Sequence, residues 1–106
     1  MKGILQSVFA LISLFTATGS VAQCIMNEQG YANVSGSYTC TSVCQSEGKE
    51  AYVTQKGETL LFINEVLEKT PGVISKLEGT ANNITFKVTN NCQQIEFSNG
   101  TVWLRK

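Results

Sequence analysis

The chain has 106 residues, with eight Lys+Arg balanced by eight Glu, no Asp, no His and four Cys. That length fits one domain at most, and the balanced charge leaves no basic footprint for nucleic acid. Without His, the usual general base of a Ser or Cys nucleophile is missing. A glycosidase would need two Glu about 5–9.5 Å apart across a cleft. The near pairs, Glu65 with Glu68 and Glu47 with Glu50, fall in predicted turns, where solvated surface charge is the ordinary role. No catalytic residue is expected, and the chain reads as non-enzymatic.

The first stretch reads as an export leader. Met1 and Lys2 form a minimal positive start, positions 4–15 are an apolar run broken by Gln6, Ser7 and Ser13, and Ser20-Val21-Ala22 resembles a small-residue cleavage site. A spanning helix wants about 20 mostly apolar residues, which this run does not supply. A lipoprotein on Cys24 would need a small residue where Gln23 stands. Cleavage after Ala22 leaves 84 of the 106 residues, a domain at 23–106 with seven Lys+Arg, eight Glu and a net charge of −1. The expected location is extracytoplasmic, with no membrane span after cleavage.

A domain of this size is marginal on hydrophobic burial alone. Cys24, Cys40, Cys44 and Cys92, an even count behind a leader, are expected to form two disulfides. Of the three connectivities, Cys40–Cys44 with Cys24–Cys92 is favoured. The long bridge would tie the start of the domain to its last hairpin. The short one demands a turn at Thr41-Ser42-Val43, because residues four apart in a straight strand are about 13 Å apart. A zinc site would want a second Cys or His pair, and the redox spacing C-x-x-C is absent. No metal or cofactor is expected.

From Val34 the chain alternates short apolar runs with Gly and Asn turns, the pattern of an all-β sandwich or barrel. Positions 23–33 read as an irregular lead-in. About seven antiparallel strands are predicted, at 36–40, 50–55, 59–64, 73–77, 83–89, 93–97 and 101–105, with one helical turn at 64–71 capped by Asn64 and ended by Pro71. Two hairpins carry register information. A two-residue Lys56-Gly57 loop would pair Val53 with Leu60 and Ala51 with Phe62. A two-residue Asn99-Gly100 loop, both residues at positive φ, would pair Phe97 with Val102 and Ile95 with Leu104. A three-residue loop would instead set Phe97 against Thr101 and Glu96 against Val102. The first register pairs apolar with apolar and is preferred. The expected core face is then Ala51, Val53, Leu60, Phe62, Ile95, Phe97, Val102 and Leu104, joined by Ile84, Phe86 and Val88.

On this reading Tyr52, Leu61, Ile63 and Trp103 point the other way. They are either covered by the lead-in, by 64–71 or by a second sheet, or they form an exposed patch for binding or self-association. Asn33-Val34-Ser35, Asn83-Ile84-Thr85 and Asn99-Gly100-Thr101 are glycosylation sequons if the host uses them.

Three segments resemble a recurring pattern of small secreted β domains without an assigned activity. They are Gly36-Ser37-Tyr38-Thr39-Cys40, then Gln55-Lys56-Gly57-Glu58-Thr59-Leu60-Leu61-Phe62-Ile63-Asn64-Glu65, and Phe97-Ser98-Asn99-Gly100-Thr101-Val102-Trp103-Leu104-Arg105. The closing S-N-G-T-x-W-x-R is the most specific part. The resemblance implies a β fold and extracytoplasmic placement, not a reaction. The chain departs from the pattern at Val66-Leu67-Glu68-Lys69, where a Gly-rich bend is expected.

The functional expectation is a secreted binding module for a glycan, a small molecule in a barrel mouth, or a target protein. Its candidate surface is Asn64, Glu65, Ser98, Asn99, Trp103 and Tyr52, since turns on a rigid scaffold carry binding groups. The alternative is a self-associating structural protein of the cell envelope or matrix, using Tyr52, Leu61 and Ile63.

Overall fold

A computed structural model describes residues 24–106. The leader and its cleavage point at Ala22 lie outside the described residues. Eight strands follow one another: β1 Gly36–Ser42, β2 Glu50–Lys56, β3 Thr59–Ile63, β4 Lys69–Ser75, β5 Glu78–Ala81, β6 Ile84–Thr89, β7 Gln94–Phe97 and β8 Val102–Arg105. Each pairs antiparallel with the next, and β8 pairs back onto β1, so the meander closes into a barrel with no free edge. Eight strands enclose an interior just wide enough for side chains or one small ligand.

The strand count is one higher than predicted. The unpredicted strand is β5, and the strand expected at 73–77 runs instead over 69–75, so that positions 69–71 are extended where a helical turn was expected. Asn64 still folds the chain locally: its Oδ1 accepts the Val66 and Glu68 amides at 3.1 and 2.8 Å, a side-chain-closed turn, not a helix. Pro71 sits inside β4 at a point where pairing with β5 has not begun, since that ladder starts at Gly72. β5, Glu-Gly-Thr-Ala, has little strand propensity of its own. Its ladders to β4 and β6 hold it.

Both hairpin registers differ from expectation, the first by two residues and the last by one. Lys56 pairs with Thr59 around a Gly57-Glu58 loop, with Gly57 at φ 61°, so Val53 faces Phe62. Ala51, Val53, Leu60 and Phe62 are buried all the same, because each strand keeps its own parity. The last hairpin adopts the three-residue loop. Phe97 N–H donates to Thr101 O at 2.9 Å, Gly100 alone takes positive φ (95°), and Ile95 faces Trp103 while Glu96 faces Val102. This is the loop in which one left-handed Gly makes a bulge. The slip turns the β8 side chains over: Trp103 is buried, Val102 is half-buried and Leu104 is exposed. The indole, the largest apolar group on β8, wins the interior over two smaller aliphatic groups.

One end of the barrel is plugged by the lead-in, whose Ala32 and Val34 are fully buried. Gln55 points down from β2 and clamps it. Its Oε1 accepts the Val34 amide at 2.7 Å, and its Nε2 donates to Ala32 O at 3.0 Å. Tyr38 Oη donates to Val34 O at 2.6 Å, and Arg105 donates to the carbonyls of Cys92, Ser35 and Asn33. The expected bridge Cys24–Cys92, with Cα atoms 5.0 Å apart, fastens the lead-in to the β6–β7 turn. The lead-in therefore covers a barrel end. It does not cover the outer strip of Tyr52, Leu61 and Ile63, which stays outside and half-buried.

Above the plug lies an aromatic layer. Phe62 meets Phe86, Phe97 and Trp103 edge-on at centroid distances of 5.2, 5.5 and 6.0 Å, and Phe97 meets Trp103 at 5.1 Å. Gly72 and Gly79 make room for it. A Cβ at Gly72 would stand 2.8 Å from Phe62 Cε2, and one at Gly79 would stand 2.8 Å from Phe86 Cζ.

Candidate functional site

The opposite end of the barrel is open. Above the aromatic layer is a cavity of about 470 Å³, within the usual size range of small-molecule sites. Its floor and walls are Phe62, Phe97, Trp103, Ala81 and Ile84, and its rim is Asn64, Glu65, Thr70, Asn99 and Thr101. Val43, Cys44 and Gln45 complete it from the β1–β2 loop.

That loop forms a strap across the rim. β1 carries a bulge between Cys40 and Ser42, Val43 takes φ 50°, and the Cys40–Cys44 bridge (Cα–Cα 6.0 Å) closes a five-residue ring. The turn that the short bridge requires thus falls at Val43, just past the strand end at Ser42 and within the expected Thr41-Ser42-Val43. The β3–β4 loop grips the strap. Glu65 Oε2 accepts the amides of Gln45 and Ser46 at 2.6 and 3.2 Å, and Glu68 Oε1 accepts from Gln45 Nε2 and Asn64 Nδ2 at 2.9 and 2.8 Å. Those side-chain donors hold the Glu68 carboxyl below its ordinary range. On the far side Thr101 Oγ1 donates to Val43 O at 2.9 Å.

Of the six candidate residues, Asn64, Glu65, Asn99 and Trp103 are gathered around this one cavity. Asn99 Oδ1 accepts the Thr101 amide at 3.0 Å, which shapes the rim. Ser98 is turned to β6, where its Oγ accepts the Thr85 amide at 3.0 Å. Tyr52 is on the outer face, donating to Glu50 Oε1 at 2.9 Å, and its hydroxyl proton is held more tightly by that carboxylate. Glu50 also meets Lys106 Nζ at 3.0 Å, and those two partners draw its carboxyl downward. Trp103 belongs to both descriptions: it is core and also cavity floor. Its indole N–H is buried with no acceptor among the described residues.

Thr70, Ala81 and Thr101 were not anticipated. Their signal is small side chains at inward positions near strand ends, which leave volume unfilled. The Glu65 carboxylate lies within 4.8 Å of the Cys40 and Cys44 sulfurs, but the sulfurs are bonded to each other and offer no thiolate for a metal. All three sequon residues, Asn33, Asn83 and Asn99, are exposed.

Fold and site together define a closed eight-stranded antiparallel barrel, plugged at one end and open to a half-apolar cavity at the other. Two closed bridges are consistent with an oxidising environment. No family model, curated protein or solved structure matches the chain.

Proposed function

We propose that this is a secreted, non-enzymatic binding protein that takes one small, largely apolar molecule into the mouth of its barrel. The cavity carries the reading: about 470 Å³ above an aromatic floor with a polar rim. Such sites bury an apolar body and fix its orientation with a few polar groups. Closure of the barrel supports it too, because the strands hold the floor rigid while loops carry the rim. Placement outside the cytoplasm rests on the leader expected at 1–22, on the likeness to secreted β domains, and on the two bridges.

Nile red, a neutral apolar dye, is the test probe. Its emission is expected to rise on binding, while the emission of the single Trp falls. Thr70→Phe adds a ring at an inward rim position opposite Phe62. It is expected to weaken dye binding about tenfold, the effect of roughly 1.4 kcal/mol, with the melting curve little changed. Equal dye affinity in the filled variant would reject the reading.

A further inference from the structure

We infer that the molecule taken into the mouth is an organic cation, an ammonium head on an apolar body; this rests on the barrel-mouth reading above. Among the described residues the cavity lining contains one charged residue, Glu65, and neither Lys nor Arg. The only Arg is spent at the far end, where Arg105 donates to three lead-in and turn carbonyls. An anionic ligand would therefore be desolvated with no countercharge, which is strongly unfavourable.

The carboxylate of Glu65 is only half used. Its Oε2 takes both strap amides, and its Oε1 accepts from no donor among the described residues. A carboxylate oxygen without a partner, on the rim of a low-dielectric cavity, favours a cation over a neutral group. The floor adds a second attraction. The faces of Trp103, Phe62 and Phe97 are electron-rich, and an ammonium within about 6 Å of such a ring is held by its quadrupole. Neither contribution alone selects strongly. Together they set an order of cation, then neutral molecule, then anion for ligands of one shape.

The test is a matched series: hexyltrimethylammonium, hexanol and hexanoate, followed by Trp103 emission and by calorimetry. The ammonium is expected to bind about fivefold or more tightly than hexanol, with hexanoate weakest. Glu65→Gln is expected to bring the ratio of ammonium to hexanol affinity, measured within the variant, close to one. Glu68→Gln is the control: it touches the same strap through Gln45 but does not line the cavity, and should keep the order. Hexanoate binding as tightly as the ammonium, or a cation preference surviving Glu65→Gln, overturns the inference. If Nile red still binds in that case, the mouth remains a ligand site and only its charge selectivity is refuted. If neither the dye nor any of the three binds, both readings fail.

Discussion

The guanidinium carbon of Arg105 lies 5.3 Å from the centroid of the Tyr38 ring, and the two side chains together seal the plugged end of the barrel. The pair shares the lead-in. Tyr38 donates to Val34 O, and Arg105 to Ser35 O and Asn33 O. An irregular segment carries backbone groups that no sheet ladder satisfies, and these two residues supply donors for three consecutive carbonyls.

Burial pushes the Tyr38 hydroxyl up to about 12, against an opposing pull from the Arg105 cation. The folded value lies above the ordinary 10.0, so the protonated form is favoured by folding. The stability this contributes is complete below about pH 10 and is lost as pH rises from there toward about 12. Tyr38→Phe should cost about 1–3 kcal/mol at neutral pH, because Val34 O is left buried without a donor. Urea titrations across pH should show the gap between wild type and variant narrowing above pH 10. A gap that stays constant to pH 12 contradicts the assignment.

The two bridges should separate in magnitude. Cys24–Cys92 spans 68 residues and Cys40–Cys44 spans four. In the chain-entropy model, replacing the first pair by Ala costs about 4 kcal/mol and the second about 2 kcal/mol. Hydrogen exchange should localise them differently. Losing the long bridge should expose amides of the plug, such as Ala32 and Val34, and losing the short one should expose the strap amides of Gln45 and Ser46. A short-bridge variant less stable than the long-bridge variant would contradict this.

The barrel was readable in the sequence at the level of parity and punctuation. Alternation in Ala51-Tyr52-Val53 and Ile84-Thr85-Phe86-Lys87-Val88 shows which side chains go in, and of the three connectivities left open by the four cysteines the favoured one is the one formed. Register was not readable. Asn99-Gly100 fits a two-residue loop by composition, yet the tertiary gain from burying Trp103 against Tyr38, Phe62 and Phe97 selects the three-residue loop. β5 was missed because Gly79 is there to clear Phe86, a contact that no local propensity encodes. Asn64, Glu65 and Asn99 were accessible as turn polars; the cavity they rim depends on inward small residues far apart in the chain.

Gly79 tests that packing directly. A Cβ there would collide with the Val73 carbonyl oxygen and press on the Phe86 ring at 2.8 Å. Gly79→Ala should destabilise by about 3 kcal/mol or more, the upper end for overpacking. Gly48 has φ +83° and nothing within 4 Å of its Cβ position. Gly48→Ala should cost only the backbone strain, about 1 kcal/mol. Equal losses in chemical denaturation would mean that the β4–β5 hairpin does not press on the aromatic layer.

The β8 register has its own test at Leu104. In the three-residue loop its side chain is 39% exposed, beside a buried Trp103. Leu104→Thr should change stability by no more than about 0.5 kcal/mol, as surface substitutions do. In the two-residue register Leu104 would be core, and truncating it would cost about 2–5 kcal/mol. A large loss would therefore reverse the inside and outside of the last strand.

Trp103 itself separates packing from polarity. Its ring touches Tyr38, Phe62 and Phe97, so Trp103→Ala should cost about 3–5 kcal/mol. Its N–H is buried without an acceptor among the described residues, a state that costs about 1–3 kcal/mol. Trp103→Phe removes that donor along with part of the ring, and the two effects oppose each other. The expected net loss is within about 1 kcal/mol, far less than for Ala, with a cavity enlarged from below. Thermal denaturation of the three proteins decides it. A Phe variant as unstable as the Ala variant would mean that the indole N–H is satisfied in solution, and that its hydrogen bond, not its ring alone, holds the floor of the mouth.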